Sequence, residues 1–327
     1  MKEKFTYADG ILEAYEYLLT NHPDFFIIGQ GLWSPWYVGS TMKDLDKKFG
    51  KERVIDCPVS ELATTGATVG AAICGYRPMI VHPRVDFMLL AVDQIVTQAA
   101  KWRHMFGGNS SAPATFRAII NRGGEQGAQH SQSLHSWFAH IPGLKVVMPY
   151  TAKDARDLMI SSVLADDPVM FIDDRWLYEK EEKYQPIEIL DLNDIGPQKL
   201  QNGTNVTLIG ISYTSLLCEK AAQILLNENI SCDVFDIRVL NPLKTEDLIE
   251  SVKKTGRLVV VDGDWASCGM ASEIITSILE QIDVSLLKKS PVRITLPNAP
   301  APTSKVLEDC YYIKENDLVN AIKQIVN

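Results

Sequence analysis

Short runs of apolar residues alternate along the chain with longer segments in which apolar residues recur at helical spacing. A short apolar run bounded by turn residues predicts a buried strand, and alternation of such strands with helices is typical of an α/β fold with a mostly parallel sheet. The predicted strands are 25–29, 77–83, 115–121, 144–149, 169–173, 205–211, 232–237 and 257–263. The predicted helices are 8–20, 93–106, 152–164, 212–226 and 271–281.

The alternation of strands and helices stops in the segment 178–203. This segment is charged and contains two prolines and two glycines, which is typical of a connection between domains. A new series of strands and helices begins after it. We therefore predict two doubly wound α/β domains, residues 1–190 and 196–327, with the boundary near residue 195.

Composition excludes several classes of protein. The chain has 327 residues, a net charge of −9 at pH 7 and 46% hydrophobic residues, which is typical of a globular protein rather than a disordered one. An acidic chain is not expected to bind nucleic acid nonspecifically or to bind anionic membrane surfaces, since both need a basic surface.

The sequence also predicts a cytoplasmic location. It has no apolar run long enough for a transmembrane helix, and its first residues lack the apolar core of a signal peptide. Six cysteines stand without a C-x-x-C pair, which predicts free, buried thiols in a reducing compartment.

The segment 54–78 combines a carboxylate with a helix of small side chains. Ser60 and Glu61 precede a stretch, 63–72, in which Ala, Gly and Thr dominate. One interpretation is structural: Ser60 caps the helix, and Glu61 lies in its first turn, where the helix dipole favours negative charge. The other is functional, because small side chains let another subunit or a flat ligand approach the backbone. The residues alone leave both interpretations open.

Glycines and histidines lie close together in the segment 120–149. Three glycines within five residues predict an irregular loop whose backbone approaches a neighbouring group. The histidines His130, His135 and His140 lie five residues apart without an acidic neighbour, so a zinc site is not expected. His130, beside Gln129, suits a titrating group in a pocket. His135 could join His130 or face solvent, whereas His140 is expected to be packed.

Common phosphate-binding motifs are absent from the sequence. It contains neither GxxxxGK[ST] nor a GxGxxG after a strand, and the nucleophile elbow GxSxG is missing. A GDG motif followed by paired asparagines would hold Mg²⁺ and a diphosphate. The nearest match is Gly263-Asp264-Trp265, and no asparagine pair follows it. We find no phosphate cradle within this chain.

The motifs PVSE and GAQHSQS resemble a known family. Together with the small-residue helix, they are similar to the beta subunit of the thiamine diphosphate-dependent decarboxylase of 2-oxo acid dehydrogenase complexes. More broadly, they resemble the C-terminal half of transketolase-like enzymes. The resemblance continues, in the same order, through 86–108, 166–178, 236–243 and 254–264. Six ordered segments are far more specific than a single motif.

This resemblance implies a pyrimidine-binding domain followed by a transketolase-type C-terminal domain. It implies thiamine diphosphate as the cofactor, bound between two chains. The diphosphate and Mg²⁺ would be held mainly by an alpha-type subunit that carries the GDG–asparagine motif, so no metal ligand is expected in this chain. The expected assembly contains two alpha and two beta chains (α₂β₂) and is active only as such.

The family's functional residues can be carried over to three positions. Its glutamate falls on Glu61, which would hydrogen-bond a ring nitrogen of the aminopyrimidine and favour the imino tautomer that removes the thiazolium proton. Phe87 matches the aromatic residue of the aminopyrimidine pocket. His130 matches a histidine near the reactive carbon, which binds the substrate and relays protons.

Three positions depart from the family pattern. His82 and Arg84 stand where apolar or acidic residues are common, and His135 stands where an acidic or small residue is common. One hypothesis places His82, Arg84 and Gln129 in the substrate pocket and His135 beside the catalytic His130. The substrate would then be richer in hydroxyl or anionic groups than pyruvate. The alternative is that these side chains are exposed to solvent and have no role.

Three functions remain open at this point. The first is a beta subunit of an oxidoreductase that decarboxylates a 2-oxo acid and passes the acyl group to a lipoyl carrier, with a lipoyl acyltransferase as a further partner. The second is a split transketolase, which transfers a two-carbon ketol or acyl unit to an aldehyde, ketone or sugar. The third is a non-catalytic subunit, against which Glu61 and His130 argue.

The segment 296–312 contains three prolines. We predict that it forms an extended arm rather than a helix.

Overall fold

The computed structural model describes residues 4–326, and the chain divides into two compact units. The first unit contains the chain up to Asn121 and residues 137–194. The second contains Arg122–Ser136 and the chain from Ile195 onward. The sequence-based bounds placed 122–136 in the first domain, whereas in the structure this segment packs with the second unit because its polar side chains bond there.

All the predicted strands and helices are present, with ends displaced by a few residues. The strands are β1 (Lys4–Thr6), β2 (Phe25–Gly29), β3 (Val54–Asp56), β4 (Arg77–His82), β5 (Thr115–Ile120), β6 (Lys145–Val147), β7 (Val169–Asp174), β8 (Glu181–Lys183), β9 (Gln198–Gln201), β10 (Val206–Gly210), β11 (Cys232–Asp236), β12 (Val239–Asn241), β13 (Leu258–Trp265) and β14 (Val292–Leu296).

The helices include several short ones that the apolar pattern alone did not reveal. They are α1 (Tyr7–Asn21), α2 (Leu45–Phe49), α3 (Glu61–Ile73), α4 (Val85–Met88), α5 (Ala100–Met105), α6 (His135–Ala139), α7 (Ala152–Leu164), α8 (Tyr213–Leu226), α9 (Glu246–Thr255), α10 (Met270–Leu279), α11 (Lys305–Tyr311) and α12 (Glu315–Val326). A π-helix, Gln94–Ala99, precedes α5 within the predicted helix 93–106.

Six parallel strands of the first unit form a sheet in the order β6-β7-β5-β4-β2-β3. Every residue of β5 and β7 is buried, as expected for parallel strands that helices cover on both faces. Helix α7 packs against α1 and is buried over almost its whole surface. Strands β1 and β8 form a separate antiparallel pair.

The second unit has a mixed sheet in the order β14-β13-β10-β11-β9, in which only β9 is antiparallel. Its apolar core includes residues of β10, β11 and β13 together with one face each of α8 and α12. The chain leaves β10 for β11 on one side and later returns to β13 on the other. The strand order therefore reverses between β10 and β13, which defines a topological switch point. The predicted fold class, two doubly wound α/β domains, is confirmed.

The prediction that 296–312 contains no helix is wrong. Lys305–Tyr311 forms α11, and Ser304 holds the position before its first turn. The last proline of the segment is Pro302, so no proline prevents a helix from Lys305 onward. An ion pair of 3.6 Å between Lys305 and Asp309, one turn apart, favours the helix further.

Two predictions about burial are also wrong. The cysteines are free, but Cys74, Cys268 and Cys310 are exposed, and only Cys218 and Cys232 are buried. His140, which was expected to be packed, is exposed near the end of α6. Among residues 4–326, no helix is both long and apolar enough to span a membrane.

Candidate functional site

Polar residues of the first unit lie at the carboxyl edge of its parallel sheet. Strand β3 ends at Asp56, β4 ends at His82, and Asn121 follows the end of β5. Because parallel strands all end at the same edge, these residues share it, and open α/β sheets bind their ligands there.

Glu61 is the first residue of α3, the helix that follows β3, and its side chain is half-exposed. The predicted capping role of Ser60 is wrong, since its side chain makes no hydrogen bond to the first turn. Nearby, Cys57 is half-buried. Burial, and then the charge of Asp56, raises the pKa of the Cys57 thiol, so this neighbour of Glu61 is a neutral thiol.

The small side chains of α3 lie on a face that no other part of the described chain covers closely. Ala63, Ala67 and Gly70 are exposed, whereas Thr65 and Val69 face the core. A methyl group added at Gly70 would meet no atom of residues 4–326 within 4 Å. Packing within the described chain therefore does not require this glycine, which leaves the face open to another molecule.

His82 is buried, with 2% of its surface exposed. Its Nε2 lies 3.3 Å from Oγ1 of Thr65, one turn after Glu61 in α3. Burial lowers the pKa of His82 to about 4, so the ring is neutral at pH 7. The alternative that His82 faces solvent is wrong, and the side chain links the end of β4 to α3.

Arg84 and Arg175 converge on Asn121. Nη1 of Arg84 donates to the backbone oxygen of Asn121 at 2.8 Å. With the Asn121 amide turned to suit its neighbours, its side-chain oxygen accepts from Nη2 of Arg84 at 3.2 Å and from Nη1 of Arg175 at 3.1 Å. Burial, and then the charge of Arg175, lowers the pKa of Arg84, which Asp86 partly offsets. Phe87 follows in α4 and is half-buried. No local motif in the sequence marks Arg175 as part of this cluster.

Gln129 and His130 lie in the loop 122–136 of the second unit. Gln129 is exposed and His130 is half-buried, and the backbone N–H of His130 donates to the oxygen of Gly127 at 3.3 Å. Gly127 has a φ of +74°, and a Cβ there would lie 2.6 Å from Oγ1 of Thr303. Gly127 thus permits the close approach that the sequence predicts, whereas a Cβ on Gly124 would meet nothing within 4 Å.

His135 lies at the end of the same segment, as the first residue of α6, and its ring is buried, with 1% of its surface exposed. Nε2 lies 3.0 Å from Oδ1 of Asp262, and Nδ1 lies 2.9 Å from Oγ of Ser133. Burial alone would lower the pKa of His135, but the Asp262 carboxylate outweighs it and the pKa is raised. The order Ser133–His135–Asp262 matches that of a catalytic triad. Ser133, however, is only 2% exposed and therefore inaccessible to a substrate.

The structure thus places Glu61, His82, Arg84 and Phe87 in the first unit and Gln129, His130 and His135 in the second. Within residues 4–326, no group of three or more His, Cys, Asp or Glu side chains is arranged to hold a metal ion.

Comparison with protein families gives two matches. Residues 3–180 match the transketolase pyrimidine-binding domain, and residues 197–318 match the transketolase C-terminal domain.

Individual proteins similar to this chain include two named for the same enzyme. The chain is 33% identical over 324 residues to the pyruvate dehydrogenase E1 component subunit beta of Rickettsia felis, with 98% of each chain covered. It is 33% identical over 325 residues to the mitochondrial pyruvate dehydrogenase E1 component subunit beta of Homo sapiens, covering 98% of this chain and 90% of the human one. A solved structure described as a split gene transketolase, inactive beta4 tetramer, superposes with a TM-score of 0.79 at 18% identity, covering 98% of each chain. This last likeness concerns the fold alone.

Proposed function

The chain belongs to the transketolase family of thiamine diphosphate-dependent enzymes, and from this premise we propose that it is the beta subunit of a two-chain enzyme. That enzyme decarboxylates a 2-oxo acid such as pyruvate and passes the acyl group to a lipoyl carrier. Relatives that match along 98% of this chain and are named pyruvate dehydrogenase E1 subunit beta support this proposal. A cytoplasmic location remains a prediction.

The observation that carries the proposal is the start of α3. A half-exposed carboxyl, Glu61, opens a helix whose outer face carries Ala63, Ala67 and Gly70. With about 3.6 residues per turn, these small side chains lie on the opposite side of α3 from Glu61, where they leave room for a neighbouring molecule. The Glu61 carboxyl itself stands at the carboxyl edge of the parallel sheet, where open α/β sheets bind their ligands. The residues present therefore fit the aminopyrimidine end of thiamine diphosphate. They do not fit its diphosphate end, because the chain has no GDG–asparagine motif.

We assign a role to each candidate site residue of the first unit. The Glu61 carboxyl would hold a proton at a ring nitrogen of the aminopyrimidine, and Phe87 would lie against that ring. Thiamine diphosphate, when bound, supplies the carbon nucleophile and the electron sink. Arg84, next to Arg175 and Asn121, would attract an anionic group of the substrate. His82, neutral and bonded to Thr65, would keep α3 in place and fill the pocket wall.

In the second unit, His130 and Gln129 would bind the substrate. Both side chains are accessible, and a histidine can hold a carboxylate or move a proton to a forming oxygen. For the buried His135 we propose a positioning role rather than contact with the substrate.

The partner would be an alpha-type subunit that holds the diphosphate and Mg²⁺, in an α₂β₂ assembly. An exposed face of small residues that the described chain leaves uncovered supports such a partner. A lipoyl acyltransferase would be the second partner if the acyl group goes to a lipoyl carrier.

A split transketolase is the second candidate. The two guanidinium groups on Asn121 favour it, because they would suit a phosphorylated or polyhydroxylated substrate better than they suit pyruvate. The two candidates differ in the acceptor: the first needs a lipoyl protein, and the second needs only an aldehyde, ketone or sugar.

The test is reconstitution. The tagged chain is isolated from its native lysate with thiamine diphosphate and Mg²⁺, native mass spectrometry gives the stoichiometry, and the complex is assayed with 2-oxo acids and each acceptor. We expect a 2:2 complex with an alpha-type chain. We expect Glu61→Gln to reduce kcat by about 100-fold or more while the complex still forms.

Glu179→Gln, a change at an exposed carboxylate of the first unit, is the matched control and should keep full activity. Activity of this chain without a partner would contradict the two-chain proposal. Full turnover by Glu61→Gln would contradict the role of Glu61.

A further inference from the structure

We propose that the tripeptide Asp262-Gly263-Asp264, here called the clamp, holds both ends of the loop 122–136, here called the histidine loop. The clamp thereby fixes the position of His130. It includes Gly263-Asp264, the closest approach in this sequence to a diphosphate-binding motif. The clamp and the histidine loop both belong to the second unit.

The first end of the histidine loop is held by Arg122. Its Nη1 donates to the backbone oxygen of Gly263 at 3.1 Å, and its guanidinium lies 5.7 Å from the centre of the Tyr213 ring. Arg122 is 6% exposed. A Cβ on Gly263 would lie 3.0 Å from Nη1 of Arg122, a contact tight enough that the guanidinium would have to shift by a few tenths of an ångström. The absence of a side chain at Gly263 thus lets the guanidinium approach the strand backbone closely.

The second end of the histidine loop is held by two side chains that bond the two aspartates of the clamp. Nε2 of His135 lies 3.0 Å from Oδ1 of Asp262, and Oγ of Ser136 donates to Oδ2 of Asp264 at 2.9 Å. All four side chains are at most 8% exposed. Hydrogen bonds to buried carboxylates are among the stronger ones in proteins, so this end has little freedom to move.

The clamp itself is fixed by secondary structure. It lies within β13, whose preceding residues Leu258–Val261 are all buried. The second oxygen of Asp262 accepts from the backbone N–H of Ala271, in the first turn of α10, at 3.1 Å. The two aspartate side chains that bond the histidine loop thus stand on an internal strand, and the start of a helix holds one of them, so both have rigid supports.

The middle of the histidine loop is tied to α11. The backbone N–H of Glu125 donates to both carboxylate oxygens of Glu308, at 3.2 and 3.0 Å. In return, the Glu125 carboxylate accepts from the backbone N–H of Lys305 at 3.1 Å, where a helix start favours negative charge. Between these ties, Gln129 is exposed and His130 is half-exposed.

The clamp lies at the edge of the second unit's sheet where a ligand would be expected to bind. The clamp lies at the carboxyl end of β13, beside the switch point with β10, where doubly wound sheets usually bind a ligand. Here the chain's own histidine loop takes that place. His135, Arg122 and the two aspartates are therefore positioning residues that act through His130. The anchoring stands on the contacts alone, and only the effect on turnover rests on the proposed function.

Hydrogen–deuterium exchange of the full-length chain tests the anchoring without any activity. In His135→Ala, we expect the amides of 123–134 to exchange about tenfold faster or more, because the loop end is released. Exchange in β10 and α8 should not change. His135→Gln, whose amide can still donate to Asp262, should restore much of the protection. His140→Ala, at an exposed histidine, is the matched control and should exchange as the wild type does.

Gly263→Ala is a second variant, in case His135→Ala does not fold. The added methyl should displace Arg122 and speed exchange over the first residues of the histidine loop. Unchanged amide exchange in both variants would contradict the proposal that the clamp holds the histidine loop.

A double-mutant cycle in the reconstituted complex tests the link to His130. If the clamp acts through His130, His135→Ala should lower kcat/KM in the wild type but add little on a His130→Ala background. Additive losses would overturn that link, even if exchange confirms the anchoring. If the wild-type complex turns over neither class of substrate, the proposed function fails, while the exchange result still decides the clamp.

Discussion

Two buried histidines of this chain have pKa values that are shifted in opposite directions. His82 and His135 are each at most 2% exposed, yet burial lowers the pKa of His82 to about 4, whereas the pKa of His135 is raised. The difference is the neighbour: His82 contacts the neutral hydroxyl of Thr65, and His135 contacts the carboxylate of Asp262. The pKa of a buried histidine therefore depends on whether a charged group is buried beside it.

His82 should therefore make stability depend on pH. Its folded pKa of about 4 lies below the unfolded value of 6.5, so its contribution is fully present above pH 6.5 and is lost as the pH falls towards 4. The whole loss is about 3 kcal/mol, of which about 2 kcal/mol is lost by pH 5. Urea unfolding at neutral pH and at about pH 5 measures it.

His82→Gln, which cannot take up a proton, should lose correspondingly less stability between the two pH values. His140→Gln, at an exposed histidine, should follow the wild type. Equal pH dependence in the wild type and His82→Gln would contradict the prediction.

At the scale of secondary-structure elements, one buried arginine links β5, β7 and α1. Arg117 lies in the middle of β5 and is fully buried. Its Nε and Nη2 donate to the two carboxylate oxygens of Asp173 in β7, at 2.9 and 2.8 Å. Nη1 donates to the Tyr15 hydroxyl in α1 at 3.1 Å, and further bonds reach Thr41 and Tyr178. The charge is tolerated because every N–H direction has an acceptor.

Removing this arginine alone should be costly. Arg117→Met leaves the Asp173 carboxylate buried without its cation, which typically lowers the free energy of unfolding by about 3–5 kcal/mol. Urea denaturation followed by circular dichroism measures the loss.

The double change Arg117→Met with Asp173→Leu removes both charges and should recover a large part of the stability. Lys47→Met, at an exposed lysine paired with Asp44 on α2, is the control and should leave the unfolding transition where it is. A double variant no more stable than Arg117→Met would show that packing, rather than the unpaired carboxylate, sets the cost.

At the scale of the whole molecule, the cysteines show how burial divides one residue type into two groups. Cys74, Cys268 and Cys310 are exposed. Cys218 and Cys232 lie in the core of the second unit, where burial raises the pKa of Cys232 to about 12 and that of Cys218 well above its usual value. A buried neutral thiol reacts slowly, because the thiolate is the nucleophile.

Thiol titration with a disulfide reagent should therefore show three fast equivalents in the native chain, those of the exposed cysteines. The two core thiols should react only on unfolding, and the half-buried Cys57 should react slowly. Cys74→Ser should remove one fast equivalent, whereas Cys218→Ser should remove none. Fast reaction of all six thiols in the native chain would contradict the assigned burial.

The sequence by itself determined the longer apolar strands, several of the long helices, the fold class and the family. Alternating apolar runs placed the strands, since burial on both faces of a parallel strand leaves a continuous apolar segment. Glu61 at the head of a helix of small residues could be identified from a motif of consecutive residues. These signals lie within short stretches of consecutive residues, so they can be recognised from the sequence without the fold.

Only the tertiary structure decided which unit holds the histidine loop and what its polar residues contact. His135 and Asp262 are 127 positions apart in the chain, and Ser136 and Asp264 are 128 apart. Arg175 reaches Asn121 in the same long-range manner. No periodicity or motif specifies such a pair. A hydrogen-bond partner is chosen by the space and the unsatisfied groups that remain once strands distant in sequence lie side by side.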